Sequence, residues 1–208
     1  MNNREAYNQW ANNYDTVINK TRDVEEEAFS KIIAELPFDA VLEIGCGTGK
    51  NTKWLLNKAN IIVAADFSEE MLVRAKSKID DPKVEFLQTD VRKLWPFKDE
   101  LFDLITFSLV LEHIENIDFI FKEARRVLKP GGYLYIGELH PFKQYAGSKA
   151  RFDTNGGVFE LECFIHNISE YFNTAKKYDF NCIELLEWHN KEKLNNTIPQ
   201  ILTILFKA

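Results

Sequence analysis

The chain has 208 residues, 45% hydrophobic and 28% charged, which excludes a disordered polymer and suits one packed domain over residues 1–208. Its 26 basic and 32 acidic side chains give a net charge of −6 with no long basic run. That argues against nucleic acid as the main partner, because phosphate contacts need clustered Lys and Arg.

The polar start MNNREAYNQW lacks an apolar signal core, and no window approaches the ~20 apolar residues of a membrane span. No membrane partner and a cytoplasmic setting are expected. Cys46, Cys163 and Cys182 are far apart and form no CxxC pair, so neither a zinc site nor a disulfide framework is indicated.

Residues 1–38 read as a helical cover. AVLEIG (40–45) is a short buried strand, and Asn51 to Lys58 a helix opening from a glycine loop. IIVAAD (61–66) is a second strand. The helix SEEMLVRAKSKI (68–79) has Ser68 as N-cap, acids in its first turn and basic residues later, as its dipole favours. KVEFLQTD (83–90) and LFDLITFSLV (101–110) are further strands. The amphipathic stretch 117–132 reads as a helix stopped by Pro130 and Gly131-Gly132, and YLYIGEL (133–139) as the next strand. Residues 140–157 are richer in Gly, polar and aromatic residues and read as a loop or small cap. Two more strands fall near 180–188 and 198–206. Strands alternating with helices imply an α/β fold, a parallel sheet with helices on both faces.

Gly45, Gly47 and Gly49 lie where the first strand meets its helix. Ligands of open parallel sheets bind at the carboxyl ends of the strands, and a missing Cβ permits close backbone approach. A tight structural turn is the alternative. Asp66 ends the second strand, where a carboxylate accepts hydrogen bonds from ribose hydroxyls. Asp90 ends the third strand and suits an adenine amine, with the Val91 amide beside the ring; helix capping is its alternative. Together these positions describe an adenosine pocket. The dinucleotide fingerprint is GxGxxG, whereas the spacing here is GxGxG, preceded by Glu43. Lys50 beside the helix start keeps a pyrophosphate ligand open.

The segments YNQWANNYDTVIN, VLEIGCGTGKNT, VAADFSEEMLVRAK, VEFLQTDVRKLWPF, FDLITFSLVLEHIENI and EARRVLKPGGYLYIGELHPF run in order over residues 7–142. They resemble the class I S-adenosylmethionine-dependent methyltransferases, most of all the small-molecule branch with the ubiquinone/menaquinone-biosynthesis enzymes. The resemblance implies a Rossmann-like seven-stranded, mostly parallel sheet whose last strand is antiparallel, and S-adenosyl-L-methionine as cofactor. It implies that Gly45, Cys46, Gly47 and Gly49 contact the methionine moiety, while Glu43 orients the loop or meets the ammonium through water. By the same resemblance Asp66 holds the ribose and Phe67 and Met71 pack on the adenine. Asp90 and Val91 read the adenine edge, Ser108 and Leu109 flank the sulfonium, and Tyr14 caps the carboxylate.

Methyl transfer from a sulfonium is an in-line displacement, so the protein mainly aligns the nucleophile and excludes water. A base helps only when the nucleophile must lose a proton. His140, just after the fifth strand, is the first candidate and His166 the second. His113 reads as mainly structural and His189 as peripheral; Glu138 and Asp15 are weaker candidates. No acid cluster suggests a metal. SLVL is not the Asn/Asp-Pro-Pro-aromatic run used on amino groups of adenine or glutamine, and no Pro-Cys pair offers an attacking thiol. The acceptor is then a small molecule, with residues 140–167 as a cap insertion. Trp10, Phe142, Tyr145, Phe152, Phe159 and Phe164 are candidates to wall its pocket. A monomer or homodimer is expected. The alternatives are an NAD-type oxidoreductase and a non-catalytic nucleoside-binding module.

Overall fold

The computed structural model describes residues 1–154, 157–190 and 198–208, the side chains of 152–154 excepted. Helices α1 (Asn3–Trp10) and α2 (Lys20–Ala34) precede an alternating series: β1 (Ala40–Ile44), α3 (Lys50–Leu55), β2 (Ile61–Asp66), α4 (Glu69–Lys78) and β3 (Val84–Gln88). β4 (Phe102–Ser108), a 3-10 turn (Leu111–His113), α5 (Ile117–Val127) and β5 (Leu128–Leu139) follow. Short α6 (Pro141–Tyr145), the hairpin β6 (Arg151–Thr154) and β7 (Gly157–Glu160), α7 (Ile168–Lys177), β8 (Asn181–Trp188) and β9 (Ile201–Lys207) complete the chain.

The strands form a seven-stranded sheet in the order β3-β2-β1-β4-β5-β9-β8. The pairings among β1 to β5 are parallel, and β9 runs antiparallel to both β5 and β8. The strand order therefore reverses between β1 and β4, the switch point where such sheets leave a crevice. β1 is buried along its whole length, which explains why it is apolar at every position but one and makes Glu43 within it conspicuous.

Alternate residues serve opposite layers. Val41, Ile62, Leu104 and Tyr135 pack under Phe29 and Ile33 of α2. Leu42, Val63, Ile105 and Leu134 pack against the stripe Ile120, Phe121, Ala124 and Val127 of α5 and against Tyr171 of α7. Capping fixes where these helices begin. Ser68 accepts from the Met71 amide, and Asn116 from that of Asp118.

One boundary differs from the expectation. α5 ends at Val127, and β5 begins at Leu128, which pairs with Phe102. The residue before a proline is driven toward extended backbone, and Gly131 at φ 78° turns the chain. The ladder absorbs these residues as an irregularity before Tyr133 joins Leu104.

After β5 the chain makes α6 and the β6-β7 hairpin, so the segment read as a loop or cap holds regular structure. The hairpin region packs on α1: Ala6, Trp10 and Leu161 form a small core with Tyr7, Tyr14, Ala150, Phe159 and Cys163 around it. No described helix is long and apolar enough to cross a membrane.

Candidate active site

The carboxyl ends of β1, β2 and β4 converge on the glycine loop. Gly45, Gly47 and Gly49 have φ of 73°, 54° and 86°, a region other residues enter at a cost of ~1–2 kcal/mol. Two of them are also crowded. A Cβ on Gly45 would lie 2.2 Å from Val110 Cγ2, and one on Gly49 would lie 2.9 Å from Ile79 Cδ1. A Cβ on Gly47 would meet nothing within 4 Å, so that backbone faces open space.

Asp66 clasps the loop. Its Oδ2 accepts from the Gly47 amide at 2.8 Å and its Oδ1 from the Ser68 amide at 2.8 Å. One carboxylate thus joins the glycine loop to the start of α4. Burial pushes its pKa up despite those two donors.

Two cavities, of about 1300 and 800 Å³, open here and share Tyr14, Gly45, Gly47, Ser108 and Leu109. The larger also takes in Asp66, Phe67, Met71, Asp90 and Val91. Glu43, Cys46 and Gly49 line only the smaller. Leu109 sits at φ 57°, an uncommon conformation for a branched residue that concentrates at functional sites. Its amide donates to the Gly137 carbonyl at 2.8 Å.

The acids differ in their surroundings. Glu43 accepts from the Thr52 hydroxyl at 2.5 Å. Burial first, then the nearby Glu25 and Asp66 carboxyls, push its pKa up to about 8. Asp90 is gripped by Arg92 through Nε at 2.8 Å and Nη2 at 3.0 Å, and that bidentate pair lowers its pKa. It also accepts from the Arg92 amide at 3.2 Å, so a local turn accompanies any ligand role. Asp15 accepts from the Thr48 hydroxyl at 2.6 Å, at the smaller cavity.

His140 and His166, the expected base candidates, line neither cavity. Pro141 starts α6 directly after β5, so the fully buried His140 turns in as its N-cap. Its Nδ1 accepts from the Phe142 amide at 3.2 Å, and its Nε2 lies 2.9 Å from Glu187. The buried His166 has Nε2 at 2.8 Å from the Ile114 carbonyl and Nδ1 at 3.0 Å from Glu170. Glu138 also lies outside both cavities. It accepts from the Val110 and Leu111 amides at 2.9 and 2.8 Å, holding the turn after β4.

His113, read as structural, does line the larger cavity. Burial lowers its pKa, so it is neutral at pH 7. Its Nδ1 lies 3.0 Å from the Glu162 carbonyl and 3.3 Å from the Asn3 side-chain nitrogen, and its Nε2 lies 2.8 Å from the Tyr7 hydroxyl. Tyr7, Arg22 and Glu25 reach the cavities from the N-terminal helices; Tyr7 opens the segment YNQWANNYDTVIN but is not singled out by it, and Arg22 and Glu25 belong to no motif. The position of LEHI just past β4 was the available signal for His113. Of the aromatic candidates, Phe164 lines the larger cavity. Trp10 and Phe159 belong to the core under the hairpin, Phe142 and Tyr145 are exposed, and the Phe152 side chain lies outside the described residues.

Residues 42–136 match the family described as a methyltransferase domain. A demethylmenaquinone methyltransferase of Clavibacter sepedonicus is 36% identical over 112 residues, covering 53% of this chain and 45% of its own length. A malonyl-[acyl-carrier protein] O-methyltransferase of Buchnera aphidicola is 28% identical over 195 residues, 93% of this chain and 71% of the relative. The chain spans about half the length of most curated relatives it matches. A crystal structure of an S-adenosylmethionine-dependent methyltransferase from Mesorhizobium loti superposes with a TM-score of 0.72 at 20% identity, covering 86% of this chain and 96% of that one. The acceptors in these names differ, and what recurs is methyltransferase chemistry. The stretch 42–136 belongs to the methyltransferase-domain family, the relatives it resembles include the ubiquinone/menaquinone-biosynthesis enzymes, and the fold is that of S-adenosylmethionine-dependent methyltransferases.

Proposed function

We propose that this chain transfers a methyl group from S-adenosylmethionine to a small-molecule acceptor by in-line displacement. The observation that carries the reading is the meeting of two cavities at Gly45, Ser108 and Leu109, with Asp66 and Asp90 on one side. The residues fit the cofactor. Asp66 has lone pairs left for ribose hydroxyls after accepting its two amides, and Gly47 leaves open space beside the loop. When bound, S-adenosylmethionine supplies a methyl group already activated on sulfur.

In this reading Asp66 accepts from the ribose, Phe67 and Met71 pack against the adenine, and Asp90 and Val91 face its edge. Ser108 and Leu109 border the sulfur. The larger cavity continues past the nucleoside to Tyr7, His113 and Phe164, and that end takes the acceptor. α1 and the cap at 140–167 exclude water from it, as alignment-driven displacement requires. The relative matched over 93% of this chain is named for malonyl-[acyl-carrier protein], and another for demethylmenaquinone. The acidic balance suits a cytoplasmic small-molecule enzyme.

Dinucleotide binding is not favoured. The Lys50 ammonium, which would meet a pyrophosphate, lies 2.6 Å from Glu26 and 3.7 Å from Asp23 on α2. Calorimetry with S-adenosylhomocysteine and with NAD tests the choice, and only the former should bind. Labelled methyl transfer to a panel of phenols, quinols, carboxylates and amines tests turnover. Tight cofactor binding with no transfer to any of them would favour the nucleoside-binding module.

A further inference from the structure

The Glu25 carboxyl is 4% exposed. Its described partners are neutral: the Ser108 hydroxyl, the Tyr135 hydroxyl at 3.2 Å and the Asn51 amide at 3.5 Å. Lys50 attracts it only from a distance, its ammonium being 2.6 Å from Glu26. A buried carboxylate without a cation is costly, and burial pushes this one up to about 7.

The fold nevertheless keeps room for it. A Cβ on Gly137 would lie 2.7 Å from Glu25 Oε1 and 2.6 Å from the Tyr135 hydroxyl. Gly137 is not among the positive-φ glycines, so it serves space here and not backbone freedom. Glu25 lines the smaller cavity beside Gly45, Gly47 and Ser108.

Arg22 stands three residues earlier on α2 and lines the same cavity. Residues so spaced share a helix face. Its Nη1 and Nη2 donate to the Tyr14 and Val17 carbonyls at 2.7 and 2.8 Å, which uses two of five guanidinium N–H groups. One face of α2 thus offers the cavity an anion and a cation about one turn apart, a match for a zwitterion. Glu43 is a poorer partner for an ammonium, since the Thr52 hydroxyl occupies it within β1.

We propose that Glu25 receives the α-ammonium of the cofactor's amino-acid moiety, with Arg22 facing its carboxylate. This rests on the methyltransferase reading and assigns the smaller cavity to the zwitterion. S-adenosylhomocysteine and 5′-methylthioadenosine share adenosine and a thioether, but only the former has the amino-acid group. Calorimetry on the full chain should show Glu25→Gln weakening S-adenosylhomocysteine by about tenfold or more, with 5′-methylthioadenosine unchanged within about twofold. Gln keeps the shape and removes a buried charge, so the variant should melt no lower than wild type. Glu25→Asp, which withdraws the charge, should show the same selectivity and serves if the Gln variant does not fold. Equal losses for both ligands, or no loss for either, would overturn the assignment alone. Failure of the wild type to bind either ligand would overturn the methyltransferase reading as well.

Discussion

Replacing Asp66 with Asn tests the clasp on which the site depends. Asn has one acceptor oxygen, whereas Asp66 accepts from both Gly47 and Ser68 at 2.8 Å. Its NH₂ group must face one of those amides, donor against donor. A hydrogen bond to a charged acceptor is worth ~1.5–3 kcal/mol, and an orphaned buried amide costs ~1–3 kcal/mol. Burial already disfavours the charge and raises the Asp66 pKa, so removing it recovers part of that loss. A net destabilisation of about 2 kcal/mol follows, or ~4–8 °C in Tm for a chain of this size. Under the proposed function the ribose also loses an acceptor, which should weaken S-adenosylhomocysteine by about 10- to 100-fold. 5′-Methylthioadenosine, which keeps the ribose, should weaken equally, unlike the pattern expected at Glu25. Scanning fluorimetry and calorimetry give both quantities. A folded variant with unchanged Tm and unchanged affinity would refute the clasp and the ribose placement together.

Gly45→Ala should cost about 2–4 kcal/mol in urea unfolding, because it adds a left-handed non-glycine residue and a methyl 2.2 Å from Val110. His140→Ala should lower Tm by removing the α6 cap and the Glu187 contact while leaving kcat within about twofold, apart from losses traceable to stability; a hundredfold fall in kcat in a folded variant would return His140 to the chemistry. The empty protein should lose stability as pH rises from about 4.5 to about 8. Burial raises Glu25 and Glu112 to about 7 and Glu43 and Glu138 to about 8 from an ordinary 4.5. In that window the folded state binds more protons than the unfolded, so the stability these groups give is full below 4.5 and lost through their folded pKa values. Asp66, also raised by burial, adds to the same trend, and His113, lowered by burial, acts in the opposite sense, one group against five. Unfolding free energies from urea titrations at pH 5 and 8 should differ by more than about 1.4 kcal/mol, the worth of one pKa unit; a free energy that rises with pH would contradict the burial of these acids.

The sheet was legible because each strand is a short apolar run bounded by turn residues, and Ser68 and Asn116 mark helix starts by side-chain chemistry alone. The glycine loop, Asp66 and Asp90 were legible as neighbours because they end or closely follow consecutive strands, Asp90 two residues past β3 rather than at its end, and strand ends in a parallel sheet share an edge. Ring direction was not. His140 and His113 both follow strands at that edge, yet Pro141 commits His140 to capping and the Glu162 carbonyl turns His113 toward Tyr7. The His-Pro pair held a local hint of capping, whereas the Glu162 contact comes from residues 49 apart in the chain. Arg22 and Glu25 had no motif because helices that dock onto a sheet are patterned by the faces they bury, and a polar residue aimed into a cavity reads like any surface residue.

Glu25 and Glu43 set stability against binding in one place. Both carboxyls are buried beside the glycine loop, and burial is the largest cause of each raised pKa. Replacing such groups with neutral residues commonly stabilises a fold. Glu43 has an internal role, holding Thr52 at the start of α3 against β1. Glu25 has only neutral hydrogen-bond partners, Ser108, Asn51 and Tyr135, and a wall lacking a side chain at Gly137. A ligand cation arriving there would supply the missing countercharge, and the free energy released would appear both as affinity and as added stability of the complex. Cofactor-induced stabilisation should therefore shrink in Glu25→Gln even as the empty variant melts higher. Those two shifts, of opposite sign in one variant, separate a binding carboxylate from one retained for packing.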